Sequence, residues 1–311
     1  MKTGILLINL GTPEALTLSA VRKYLREFLS DPKVINLPWL IRIPLVNFIV
    51  CTRAKKSLEA YEKIWLKEGS PLLVYTRALQ QALSEAMGDA YQVEIAMRYG
   101  KPSISHGFEA LIKGRCDKLM IMPLFPQYSN AVTASILEAV SKELLKQKVN
   151  IPIHVKTHFY DLEAYIVASA ELAGDSMKAI QAEYLLMSYH GLPERQMPLN
   201  PDYKKDCIAT SDAIAKQLSL SQEQYQTSFQ SRLGRIPWIQ PYTDEVLIKL
   251  RQQGIKRLAV ICPSFVVDCL ETLEEIGIRA REQWIQLGGE ELILVPCLNS
   301  NGDWIRALIL H

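Results

Sequence analysis

The sequence predicts an α/β protein of two similar lobes, each a four-stranded parallel sheet flanked by helices, with a cleft between them. Apolar runs that stop at Gly or Pro turns alternate with longer segments of helical period, the pattern of parallel strands joined by crossover helices. The runs also divide evenly between the halves. In the first half they fall at about Gly4–Leu10, Gln92–Tyr99, Lys118–Phe125 and Pro152–Phe159; in the second at about Ala182–His190, Tyr225–Ser231, Arg257–Pro263 and Glu290–Leu298. This places one lobe over residues 1–160 and the other over 161–311, the second carrying His190 and Glu271, with the last helix packing back on the first lobe. No internal repeat relates the halves, so their similarity is one of topology.

The composition of the 311-residue chain permits two hydrophobic cores and excludes some functions. An apolar fraction of 49% against 22% charged residues is that of a globular protein, and 35 basic against 33 acidic residues leave a net charge of +2, with no clustered basic face for nucleic acid. The six cysteines, Cys51, Cys116, Cys207, Cys262, Cys269 and Cys297, are scattered without C-x-x-C spacing, and no secretory signal precedes them, which predicts free thiols in the cytoplasm. Gly4–Leu10 ends at Gly11, too short for a membrane span and suited to a buried strand.

Leu37–Thr52 is the most hydrophobic stretch. Pro38 and Pro44 break it and Arg42 interrupts it, whereas about 20 uninterrupted apolar residues are needed to cross a bilayer. Two readings stay open: a segment packed in the core, or an apolar lip that touches a membrane surface or admits a flat apolar ligand.

The residues that could carry chemistry gather at strand ends. In Leu185–Pro193 (LLMSYHGLP) an apolar strand ends in His190, and Gly191 and Pro193 then forbid further strand, so the imidazole sits where ligands bind in open α/β sheets. A buried, hydrogen-bonded histidine is the ordinary alternative. Of the other histidines, His311 is terminal, His106 lies at a helix start, and His154 and His158 alternate along one strand face, a spacing that suits packing better than metal binding. After the strand ending at Pro263, a helix beginning near Asp268 would put Glu271 and Glu275 four residues apart on one face. In solvent such a pair means little; in a cleft, mutual repulsion would raise their pKa values and suit them to carry protons or metal. The phosphate-loop, dinucleotide, nucleophile-elbow and zincin motifs are absent from the sequence. One imidazole with a carboxylate group makes a poor static zinc site but a suitable transient site for Fe²⁺, which accepts both N and O donors.

These residues resemble ferrochelatase, the family that inserts ferrous iron into a porphyrin to make haem. The likeness runs through Leu7–Pro13 (LINLGTP), Lys55–Trp65 with Gly69-Ser70-Pro71, Arg98-Tyr99, Pro126–Ser129 (PQYS), Ser188–Pro193 (SYHGLP), Gln230–Asp244 and Phe265–Glu275, in order along nearly the whole chain. The resemblance implies the two-lobed chelatase fold with the porphyrin in the cleft, His190 and Glu271 as the catalytic pair and iron-handling groups, and Glu275 as a further relay. It implies Arg53, Tyr61 and Ser70 as porphyrin contacts, with Leu10, Tyr128 and Trp238 as wall.

The substrates implied are protoporphyrin IX and Fe²⁺, with two protons released. No prosthetic group and no iron–sulfur cluster are expected, because the chain stops at His311 without the cysteine-rich extension of some members. The same likeness implies a monomer or weak dimer in the cytoplasm, peripheral to the inner face of the cell membrane through Leu37–Val50. Two positions depart from the family pattern: Cys269 stands where many members have histidine, and Arg279 where an acidic residue often continues the carboxylate face. The alternatives are a chelatase of the same fold acting on coproporphyrin or a cobalt-requiring tetrapyrrole, and a non-catalytic tetrapyrrole-binding protein; the latter would be marked by loss of His190 or Glu271, and both are present.

Overall fold

The computed structural model describes residues 2–234 and 236–310; Arg235, within the Gln230–Asp244 stretch, and His311 lie outside them. The chain divides into two compact units, one of them Phe159–Ala307 and the other made of the residues before it together with those from Leu308 onward.

The first unit is built on β1 (Thr3–Gly11), β2 (Tyr91–Tyr99), β3 (Lys118–Pro123) and β4 (Ile153–Val155), all parallel, in the order β2-β1-β3-β4. β1 is central and buried along nearly its whole length, which is why its sequence is a continuous apolar run rather than an alternating one. Leu6, Ile8, Leu119 and Ile121 pack there with Phe108, Leu111, Ile136 and Val140 of the flanking helices. Gly11, with φ of +122°, ends β1: a Cβ there would stand 1.9 Å from the Tyr99 carbonyl oxygen, so no other residue lets β1 and β2 finish this close together. β4 is shorter than its apolar run. It is the sheet edge, paired only to β3, and His158 lies beyond its end, so His154 and His158 do not share a strand face as the alternation suggested.

The crossover from β1 to β2 is long and carries three helices, Leu18–Leu29, Trp39–Glu62 and Pro71–Met87. The middle one corrects the expectation that Pro38 and Pro44 break the Leu37–Thr52 stretch. Pro38 precedes the first turn, where proline is tolerated, and Pro44 lies inside the helix without ending it. The missing N–H of Pro44 deprives only the Leu40 carbonyl, near the exposed start of the helix, where water can serve instead. Trp39, Leu40 and Phe48 are 65–67% exposed, whereas Val46, Val50 and Ala54 are buried, so the helix packs one face and presents apolar side chains on the other. No helix among the described residues is long and apolar enough to cross a membrane.

The second unit repeats the plan with β5 (Tyr184–His190), β6 (Tyr225–Gln230), β7 (Arg257–Ile261) and β8 (Glu291–Leu294), again parallel, in the order β6-β5-β7-β8. Leu186, Val260 and Leu292 form its core with Trp284, Leu247 and Leu250. β8 stops before Pro296, which has no N–H to extend a ladder. All eight strands expected from the sequence are present, within a few residues of their expected ends.

Candidate active site

In the second sheet the chain leaves β5 toward β6 on one side, while β7 lies on the other. Strand order therefore reverses at β5, and His190 is the last residue of that strand, at the carboxyl end where open α/β sheets bind ligands. Tyr184–Tyr189 are buried and His190 is only partly so. The turn that follows depends on Gly191. Its N–H donates to the Gln230 carbonyl at 2.9 Å, and a Cβ there would stand 2.8 Å from that oxygen and 3.3 Å from the Trp238 ring. Any larger residue would push the His190 turn away from the end of β6.

His190 Nδ1 lies 2.7 Å from the Gly191 carbonyl oxygen. A carbonyl only accepts, so Nδ1 carries the proton of the neutral ring and Nε2 carries the lone pair. The imidazole is thereby held in one tautomer by the peptide that follows it, and the Phe265 ring meets it at 6.3 Å, inclined at 63°.

Glu271 comes from the segment after β7. The buried Asp268 carboxylate accepts from the Thr272 hydroxyl at 2.8 Å, the Asn299 amide at 2.8 Å and the Cys297 N–H at 3.3 Å, fixing the start of a short helix, Leu270–Leu273. Cys269 caps this helix: its sulfur accepts from the Thr272 N–H while its own N–H donates to the Thr272 hydroxyl at 3.1 Å. Burial pushes the Cys269 thiol well up, and the neighbouring Glu271 carboxylate, to which the thiol hydrogen-bonds, pushes it further. A proton held on sulfur in this way makes Cys269 a donor to Glu271 rather than a soft thiolate ligand.

Gln230 joins the two candidate groups. It pairs with His190 in the strand register, its amide donates to the Glu271 carbonyl at 2.7 Å, and its side-chain oxygen accepts from Ser188 at 2.6 Å. Gln230 thus stands beside His190 in the strand register while its buried amide fixes the main chain of Glu271 in the helix Leu270–Leu273.

The α-helical stretch stops at Leu273 and Glu275 opens a π-helical turn, Glu275–Ala280, marked by a bond from the Arg279 N–H to the Glu274 carbonyl at 2.9 Å. The Glu275 carboxylate accepts from the Ser231 N–H at 2.8 Å and hydroxyl at 2.6 Å, with Arg279 at 3.8 Å. Ser231 has φ of +67°, a left-handed conformation that costs a non-glycine residue about 1 kcal/mol, and the Glu275 bonds hold it there. Arg279 also reaches the buried Glu274 at 2.8 Å.

Trp238 lies in the same unit, buried against the Gly191 turn, with its indole N–H donating to the Leu233 carbonyl at 3.1 Å. The other five residues matched to porphyrin contacts belong to the first unit. Leu10 is the partly exposed penultimate residue of β1. Thr12, just beyond it, donates to the buried Ser70 hydroxyl at 2.6 Å and so ties the start of helix Pro71–Met87 to the strand end. Tyr61 is buried edge-on to Trp65, Arg53 is exposed on helix Trp39–Glu62, and Tyr128 is partly exposed before a second π turn, Asn130–Ala134. Sequence reasoning missed Gln230, Ser264 and Tyr203. The one signal for Gln230 was a polar residue closing the strand directly after Phe229.

Two lobes of corresponding strand order, each a four-stranded parallel sheet flanked by helices, are the plan of the chelatase fold. The sirohydrochlorin chelatase SirB from Bacillus subtilis subspecies spizizenii, in complex with cobalt, shares the fold with a TM-score of 0.60 at 13% identity, over 100% of this chain and 93% of that one. Residues 2–310 match the ferrochelatase family as a whole. A ferrochelatase from Coxiella burnetii is 47% identical over 99% of this chain and 92% of its own length, and one from Legionella pneumophila is 45% identical over 99% and 98%. The chain belongs to the ferrochelatase family, porphyrin metal chelatases classed as lyases, with iron as a substrate.

Proposed function

We propose that the protein inserts Fe²⁺ into protoporphyrin IX, releasing two protons, with His190 and Glu271 as the groups that serve the metal and the protons. The observation that carries this is the Nδ1–H bond from His190 to the Gly191 carbonyl, which leaves one lone pair, on Nε2, at the switch point of the sheet. One lone pair takes either a pyrrole proton or the iron at any moment, not both. A second group must therefore handle the other species, and Glu271, in the short helix whose main chain Gln230 holds, is that group. Leu10, Arg53, Tyr61, Ser70, Tyr128 and Trp238 are proposed as porphyrin contacts on the match of residues. Binding of the macrocycle would supply the energy that bends the ring and aims its nitrogen lone pairs at the metal. Glu275 is proposed as a relay whose carboxylate is positioned by Ser231.

No prosthetic group enters this reading. The protein is proposed to act in the cytoplasm as a monomer or weak dimer, with peripheral contact at the inner face of the cell membrane through Leu37–Val50. Exposed Trp39, Leu40, Ile41 and Phe48 support this contact, as does the charge from Pro32 to Leu58, where Lys33, Arg42, Arg53, Lys55 and Lys56 occur without an acidic residue.

The test is metal insertion by purified protein with Fe²⁺ and either protoporphyrin or coproporphyrin. Protoporphyrin is expected to be preferred; a clear preference for coproporphyrin overturns the substrate assignment. His190→Ala should lower turnover by about 10²–10⁴-fold while porphyrin still binds, as read by fluorescence. Persistent turnover in that variant removes His190 from the chemistry.

A further inference from the structure

Two side chains that carry no chemistry of their own meet the main chain of His190. The His190 N–H donates to the Ser264 hydroxyl at 3.3 Å, and the Tyr203 hydroxyl donates to the His190 carbonyl at 2.7 Å. The two hydroxyls hold His190 from both sides of its Cα: Ser264 accepts from its N–H and Tyr203 donates to its C=O. The three residues come from three places in the fold, the end of β5, the first turn of helix Tyr203–Gln217 and the loop after β7. Tyr203 and Ser264 are both buried, so water offers no cheap replacement for either bond.

We propose that Tyr203 and Ser264 are positioning residues for metal insertion, a hydrogen-bond clamp that grips the His190 main chain at its N–H and its C=O and sets the direction of the Nε2 lone pair. The proposal rests on the reading of His190 as a catalytic group. The imidazole takes its tautomer from the carbonyl of the very next residue, so movement of the His190 main chain moves both the ring and the bond that fixes it. Ser264 holds the 189–190 peptide through the His190 N–H and Tyr203 holds the 190–191 peptide through the His190 C=O, which restricts both before substrate arrives, and a misplacement of about 1 Å at a reacting group costs about 10²-fold in rate.

Tyr203→Phe and Ser264→Ala each release one side of the clamp with little change in shape. Each should lower kcat by about 10–100-fold and leave KM for protoporphyrin within about twofold. The ¹⁵N spectrum of histidine-labelled protein, with His190 assigned by its loss in His190→Ala, supplies a readout that a purely structural role would not move. The wild type should show the Nδ1–H tautomer, and both variants a mixture with Nε2–H. Unchanged kcat in both variants, with His190→Ala inactive, overturns the clamp and leaves the catalytic reading standing. A fall in kcat with the tautomer unchanged assigns the two residues to folding and also overturns it. Full activity in His190→Ala overturns the catalytic reading, and the clamp with it.

Discussion

The two units share a sheet order, β2-β1-β3-β4 against β6-β5-β7-β8, and the likeness extends to their loops. After the second strand of each, the chain returns a proline carbonyl to it: the Met97 N–H donates to Pro102 at 2.7 Å and the Phe229 N–H to Pro241 at 2.8 Å. After the third strand of each comes a π turn, Asn130–Ala134 in one and Glu275–Ala280 in the other. The polar groups at the strand ends are used differently. In the first unit they satisfy one another: the buried Asp31 carboxylate accepts from Arg98 at 2.6 Å, Tyr99 at 2.9 Å and Ser135 at 2.6 Å. In the second, the main chain of His190 and Glu271 is held by neutral hydroxyls and an amide, so neither bond uses the imidazole lone pair or the carboxylate. On the function proposed above, one frame serves anchoring in one copy and reactivity in the other. Charge spent on structure is not available to a substrate.

The largest expected effect of substitution in the second unit, beyond His190 itself, is at Glu271. Glu271→Gln keeps the shape and the main-chain bond to Gln230 but removes the charge, so turnover should fall by about 10²–10⁴-fold with the thermal midpoint within a few degrees of wild type. Turnover above a tenth of wild type would make the carboxylate a structural group like Asp31, and the contrast between the units would collapse.

The matching change in the first unit should act in the opposite sense. Asp31→Asn removes the anion facing Arg98 and leaves a largely buried guanidinium without its counter-charge, which should destabilise the protein by about 2–3 kcal/mol. Activity measured well below the lowered midpoint should stay within about threefold. Denaturant unfolding and a turnover assay on one preparation check both halves; unaltered stability would mean that the ion pair anchors nothing.

Much of this contrast could be read from the residues in order. Gly11 and Gly191 punctuate β1 and β5 because only glycine fits against the neighbouring carbonyls, so both strand ends were visible, and His190 stood out as the polar residue immediately before such a stop. Two kinds of feature stayed hidden. The π turn Glu275–Ala280 is a local widening of a helix that leaves the apolar pattern on either side undisturbed. The partners of Asp31 lie 67, 68 and 104 residues away, and those of His190 include Ser264 at 74, distances over which spacing carries no information. Gln230 was hidden for the same reason, since a single buried amide shows its value only when both of its partners are known.

Acid should separate the two units by a smaller and more graded effect. Burial alone would raise the Asp31 carboxyl, but hydrogen bonds from Ser135, the Lys33 N–H and Tyr99, with the Arg98 charge, hold it below its ordinary value. A carboxyl depressed by folding stabilises the native state fully above its unfolded pKa, about 3.9, and loses that contribution as pH falls through the lower folded value. Asparagine has no such proton to bind. The difference in thermal midpoint between wild type and Asp31→Asn should therefore be constant from about pH 7 to 5 and shrink steadily below about pH 4. A gap for Asp31→Asn that stays constant down to pH 3 would show that the carboxylate contributes through its shape and hydrogen bonds rather than its charge.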